Sequence, residues 1–231
     1  MIDKQQLAID AVRKGRNVCL AASAGTGKSW TISQVKTKNT VIIAPTAVAA
    51  CNIGGMTAHS AFSLSLGLQT EKDIKRITPT MRLLFGTDSK IDFLVFEEAF
   101  NLRADLFDVI DIKLRKIRGN DTPFGGLQIL LAGDASQNAP IVGAEELPHF
   151  RKKYLSPFIF NSRVWRELDM DIFVFDKVYR NENLEQLLML QSIRMKDETI
   201  REGSNKPLWQ EAIDYVNEIA EHGDRQGVDL Y

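Results

Sequence analysis

The stretch AASAGTGKSW, residues 21–30, places two glycines and a Lys-Ser pair directly after an apolar run. Such a loop lets backbone N–H groups converge on phosphate oxygens at the positive end of the helix that follows. Ser23, Ala24, Gly25, Thr26 and Gly27 would wrap the phosphates. The Lys28 ammonium would reach the β- and γ-phosphates, and the Ser29 hydroxyl would ligate Mg2+. The usual pattern opens with Gly, where this chain has Ala22. Alanine is tolerated there if the backbone keeps φ negative.

A second constellation is IDFLVFEEAF, residues 91–100, an apolar run ending in two carboxylates. At the end of a buried strand, Glu97 would hold the metal and Glu98 would polarise an attacking water. Glu97 is one methylene longer than the Asp usual at this position, so the metal must shift or the side chain fold back. A third stretch, APTAVAACNIGGMTAHSAF, residues 44–62, follows another apolar run. Thr46 can cap the helix after it, and its hydroxyl with adjacent N–H groups could bind a nucleic-acid phosphate.

These stretches must be positioned by a scaffold, and its elements are readable. Residues 4–14 form an amphipathic helix ended by Gly15. Apolar runs at 17–22, 40–44, 91–96, 127–132 and 171–175 alternate with helical segments. Runs of this length suit strands buried on both faces, so the expected fold is α/β with a mostly parallel sheet flanked by helices. Residues 63–90 lack a strand and read as a small insertion. After residue 180 two amphipathic helices are expected, at about 184–196 and from Pro207 to Gly223.

With 26% charged and 44% hydrophobic residues the chain is ordinary for a globular protein. No apolar run is long enough to span a bilayer and the start is no signal peptide, which points to a cytoplasmic setting and no membrane partner. Cys19 and Cys51 lack metal-ligand spacing and are expected to be buried thiols. The formal net charge of -1 gives no bulk signal for nucleic acid. Local basic clusters occur at Lys72, Lys75 and Arg76, at Lys113, Arg115, Lys116 and Arg118, and at Arg151, Lys152 and Lys153.

Four blocks in chain order resemble superfamily-one DNA helicases of the RecD/Pif type, over roughly residues 2–195. The first, IDKQQLAIDAV, is similar to the family's adenine-reading segment, with Gln6 at the glutamine position. The second is 44–62, where the resemblance implies strand contacts by Thr57, His59 and Ser60, and a stacking face on Phe62. On the residues alone, the alternatives are that His59 is a satisfied structural histidine and that Phe62 is core. The third block, LLAGDASQNAP, implies that Gln137 senses the γ-phosphate, although Asn138-Ala139-Pro140 stand where the family has Leu-Pro-Pro. The fourth, FDKVYRNENLEQLLMLQSIR, puts Arg180 at the arginine that stabilises transition-state charge.

The resemblance implies a RecA-like P-loop domain over 1–180, with 181–231 a helical segment or the opening of an incomplete second RecA-like domain. It also implies ATP and Mg2+ as ligands, single-stranded DNA as partner, 5′ to 3′ movement, and a setting in DNA replication, repair or recombination. The family's later motifs are not matched, so a second polypeptide or a further segment is expected to supply the other motor domain. Two alternatives stay open: a stand-alone ATP- and DNA-binding regulator, and a P-loop enzyme of another class such as a nucleotide kinase, which would leave 44–62 unexplained.

Overall fold

The computed structural model describes residues 3–137, 139–175, 205–207, 209–210 and 213–214. Helix α1 (Lys4–Arg13) leads into β1 (Asn17–Ala22), then α2 (Lys28–Val35), β2 (Thr40–Ala44), α3 (Ala47–Ile53), β3 (Met56–Thr57) and α4 (Ala58–Phe62). There follow α5 (Glu71–Lys75), α6 (Pro79–Phe85), β4 (Phe93–Glu97), α7 (Ala104–Arg118), β5 (Gln128–Gly133), α8 (Leu147–Phe150), α9 (Arg163–Glu167) and β6 (Met170–Phe175). The strands form one sheet in the order β3-β2-β4-β5-β1-β6, and every pairing is parallel. The two-residue edge strand β3 was invisible to sequence reading, because its run is too short to show a period.

Strand alternation sends successive side chains to opposite faces, and both faces are covered. From β4, Leu94 and Phe96 join the cluster under α4, α6 and α7, while Phe93 and Val95 join the one under α1 and α2. Strand β5 divides the same way, with Ile129 and Leu131 on the first side and Leu130 and Ala132 on the second. Phe107 of α7 is the keystone of the first cluster. It is fully buried, edge-on to Phe96 at 5.4 Å and tilted against Phe124 at 5.0 Å.

Residues 63–90 contain no strand, as expected, but they are no loose appendage. Thr70 and Thr78 cap α5 and α6, and α6 drives Met81 and Phe85 into the main core. One thiol differs from expectation. Cys19 is buried in β1, and its pKa is pushed up to about 12 by that burial; Cys51 is exposed on α3. It sits beyond the two positions, Ala49 and Ala50, that α3 turns inward.

Among the described residues, no helix is long and apolar enough to cross a membrane. The chain divides into two units, 1–179 and 180–231. In the second, Trp209–Gln210 and Ile213–Asp214 are helical, within the helix expected from Pro207, and Lys206 pairs with Asp214 at 2.7 Å. The helix expected at 184–196 lies outside the described residues.

Phe107→Ala removes a ring from a site that cannot collapse, so unfolding free energy should fall by about 3–5 kcal/mol. Leu83→Ala, at a position 79% exposed, should change it by less than about 0.5 kcal/mol. Urea midpoints of the two variants check this.

Candidate functional site

In a parallel sheet the carboxyl ends of the strands share one edge, and ligands bind outside that edge. The registers place the key ends together: Ala21 lies opposite Gly133, Ala22 opposite Phe175, Glu97 opposite Ala132 and Ala44 opposite Thr57. The phosphate loop, the acidic pair, the Gly133-Asp134 turn and the 44–62 segment therefore emerge side by side.

The loop is held from within. Ala22 ends β1 in strand backbone, so the missing glycine costs nothing. Thr26 is buried, and its hydroxyl donates to the Ser23 carbonyl at 2.7 Å. Gly27 caps α2 in the left-handed region at φ 89°. The Lys28 ammonium donates to the carbonyls of Ala22 at 2.8 Å and Ser23 at 3.0 Å, folded over the loop it must serve.

One residue escaped the sequence reading. Gln5, next to the Gln6 expected to read adenine, is 7% exposed, and its Nε2 donates to the Thr26 carbonyl at 2.8 Å. The same nitrogen lies 2.1 Å from where a Cβ on Gly27 would stand. Glycine at 27 is thus required twice, by its φ and by this contact. Gln6 points the other way: it is exposed, with Nε2 bonded to Asp10 at 2.8 Å. Two adjacent glutamines in one helix must face different directions, and only the buried one touches the loop's backbone. The signal available was the helical phase of the apolar residues Ala8, Ile9 and Val12.

Glu97 closes a strand whose five residues are all buried, and its Oε2 has no hydrogen-bond partner. Burial is the main cause that lifts its pKa to about 7. The Glu98 charge adds to the rise, while Lys28 and the Ser29 hydroxyl oppose it. A buried carboxylate with an orphan oxygen beside a serine hydroxyl is a fitting half-site for a divalent cation. Among the described residues no group of three or more His, Cys, Asp or Glu could cage a metal. Two protein oxygens completed by phosphates and water is the pattern suited to Mg2+. Glu98 follows with φ 52°, a left-handed conformation rare for Glu that turns the chain off the strand into a single 3-10 turn, Ala99–Asn101.

Gln137 is exposed, in a turn where its N–H donates to the Asp134 carbonyl at 3.2 Å. Asp134 is itself buried and accepts from the Ser136 amide at 3.0 Å and hydroxyl at 2.6 Å. Asn138 and Arg180 lie outside the described residues.

On the neighbouring β2 side, Thr46 and Thr57 act as helix caps, accepting from Ala49 at 3.2 Å and Ser60 at 3.1 Å. Gly55 must be glycine because a Cβ there would stand 2.6 Å from the Ile42 carbonyl oxygen. Thr46 and Ser60 are exposed and His59 half-buried. Burial, then the nearby Arg103, lowers the His59 pKa, with Asp105 opposing, so the imidazole is neutral at pH 7. Phe62 is a correction. It is fully buried, stacked on Phe85 at 4.9 Å and 14°, and offers no face to a base. Phe62 ends α4 on the face where Ala58 and Ala61 are also buried, so its ring follows the core.

The comparisons with known proteins agree with this geometry. The model of the PIF1-like helicase family matches residues 1–199. The ATP-dependent DNA helicase PIF1 of Saccharomyces cerevisiae is 32% identical over 212 residues, which is 86% of this chain and 24% of that protein. The human ATP-dependent DNA helicase PIF1 is 29% identical, covering 87% of this chain and 31% of its own length. Among solved structures, a Bacteroides Pif1 helicase in complex with ADP-AlF3 and ssDNA superposes with a TM-score of 0.76 at 30% identity, over 84% of this chain and 47% of that one. Pif1 helicase from Candida albicans gives 0.70 at 27% identity, over 87% and 45%. The chain thus spans about a quarter to a third of these curated relatives.

Two outcomes follow from the site. Gln5→Leu keeps volume but strips the Thr26 carbonyl of its donor, worth about 1–2 kcal/mol; affinity for a fluorescent ATP analogue should drop about tenfold. An unchanged affinity would reduce Gln5 to packing. Glu97→Gln removes an uncompensated buried charge, so at pH 8 without metal the variant should unfold at higher urea, by about 1 kcal/mol or more. Its Mg2+ dependence of nucleotide binding should vanish.

Proposed function

The chain belongs to the PIF1-like helicase family, and from that premise we propose that it is the first motor domain of an ATP-dependent DNA helicase, binding Mg-ATP and single-stranded DNA. The observation that carries this reading is the shared carboxyl edge. There the phosphate loop, the half-satisfied Glu97 beside Ser29, and the threonine caps of 44–62 lie at neighbouring strand ends.

Ser29 and Glu97 would hold Mg2+, which would supply charge neutralisation at the β- and γ-phosphates. Gln6, exposed on α1, would have to leave Asp10 to read the adenine, while Gln5 braces the loop from the buried side. Backbone amides of Ser23 to Gly27 orient the phosphates. Lys28 exchanges its carbonyl partners for phosphate oxygens, and with Arg180 it offsets charge in the transition state. Glu98, aimed by its left-handed backbone, orients the attacking water. Gln137 in the Asp134 turn reports whether the γ-phosphate is present. Thr46, Thr57, His59 and Ser60 hold the strand backbone; the neutral His59 acts as a hydrogen-bonding group rather than a cation. Movement is 5′ to 3′, with the second motor domain supplied by further sequence or a second polypeptide. The reduced Cys19 and the intracellular nature of ATP fit a cytoplasmic site of action.

The test is ATP turnover by the chain with and without oligo-dT. Stimulation by DNA that Lys28→Ala lowers by about 100-fold or more supports the motor. DNA binding without any turnover would replace it with the regulator, and turnover on a nucleoside acceptor, indifferent to DNA, would sink both.

A further inference from the structure

A cavity of about 640 Å³ lies away from the phosphate loop, on the α7 side of the sheet. Its lining mixes apolar side chains, Ile74, Val109 and Phe150 among them, with polar ones such as Gln69 and Asn161. Its rim carries four cations, Lys152, Lys153, Arg163 and Arg166. All four are exposed. Among the described residues, Arg163 is the one of the four with an ion pair, a long one to Glu167 at 3.6 Å. Arg163 and Arg166 stand three apart on α9 and so share a face.

The carboxylates in the cavity do not cancel this charge. Asp105 is clamped by Arg103 at 2.9 and 2.8 Å. Asp108 is taken up by the Tyr154 hydroxyl at 2.9 Å and the amides of Arg163 and Val164 at 3.1 and 2.9 Å. The sequence's other basic cluster on α7 is different in kind: Lys113 is buried on the Phe62 carbonyl at 2.7 Å, and Arg115 is paired with Asp111 and Glu167. Lys152, Lys153 and Arg166 thus stand together at the cavity rim with no ion pair to a described residue, in a chain whose net charge is -1.

The cavity also has a charged neighbour in common with the α4 segment. His59 feels Arg103 and Asp105. Asp105 lines the cavity, and the Arg103 guanidinium sits 5.7 Å over the ring of Phe150, another lining residue. We propose that this cavity is a second nucleic-acid site, which takes backbone phosphates of the same single strand beyond the nucleotides held at Thr46 to Ser60. It rests on the reading of the chain as a single-strand binder. The cationic rim holds phosphates, and the apolar side chains of Ile74, Val109 and Phe150 take sugar and base edges. An acidic protein segment would match the charge but would have no reason to lie end to end with the strand grip.

The experiment compares the 231-residue chain with the triple variant Lys152→Gln, Lys153→Gln, Arg166→Gln, whose altered side chains are exposed. Affinity is read by fluorescence anisotropy for oligo-dT of about 8 and about 25 nucleotides across a salt series. Three lost phosphate contacts should lower the slope of log affinity against log salt by about 2 for the long strand. The short strand, filling only the grip, should bind as before. Equal losses for both lengths, or no loss for either, would overturn the second site. A variant that keeps its DNA affinity but loses binding of polyglutamate would hand the cavity to an acidic protein partner. If the unaltered chain binds neither oligonucleotide, the single-strand reading itself fails, an outcome distinct from a silent triple variant.

Discussion

Glu97 stands at the end of a strand with no exposed residue, and one of its oxygens faces no donor. An apolar sheet gains nothing from such a group, since an unpaired buried charge costs several kcal/mol unless it is neutralised. The arrangement makes sense when the missing partner is a ligand. Lys28 and the Ser29 hydroxyl approach from the next strand but one, and both oppose the rise in the Glu97 pKa without cancelling it. The register that sets Glu97 opposite Ala132 and Ala21 opposite Gly133 fixes this approach. Parallel pairing is thus what makes the charge both costly and usable.

The same edge solves a second problem, that of displaying polar groups on short helices. The α3 and α4 segments are too brief to be stable alone. Each is held by a threonine cap at its start, and α4 is held at its end by the Lys113 ammonium on the Phe62 carbonyl. Burial draws the Lys113 pKa down to about 8, with Asp73 opposing and Arg76 adding to the fall. That cation spends its charge on the scaffold. Phe62 belongs to the same clamp: its ring anchors α4 in the core so that Ser60 and the half-buried His59 can face outward.

Much of this was legible in the sequence, for a physical reason. Strands buried on both faces read as continuous apolar runs, and phosphate loops need glycines at fixed spacing, so the sheet and Lys28, Ser29 and Glu97 stood out. What stayed hidden depends on phase and distance. Whether Gln5 or Gln6 meets the loop is a matter of 100° of helix rotation. Whether Phe62 faces solvent depends on Phe85, 23 positions away and in a segment that looked like an insertion. The basic clusters were visible as composition, but only tertiary structure separates the buried Lys113 from the exposed Lys152. Arg180 and Asn138, prominent in the sequence, fall outside the described residues.

Net charge is a poor guide here because screening makes electrostatics local. At physiological salt, fields decay over about 8 Å, so a strand on the α4 edge responds to the groups beside it and not to the total of -1. The acidic residues near that path are internally engaged, Asp105 with Arg103 and Asp108 with Tyr154 and two amides. Asp108, through the Tyr154 hydroxyl, also fixes the loop that carries Lys152 and Lys153. A chain of balanced composition can present a cationic surface in this way, by using its carboxylates as internal hydrogen-bond acceptors and leaving its ammonium groups outside. Binding of a polyanion then needs no excess of basic residues, only an unequal division of the two signs between interior and rim.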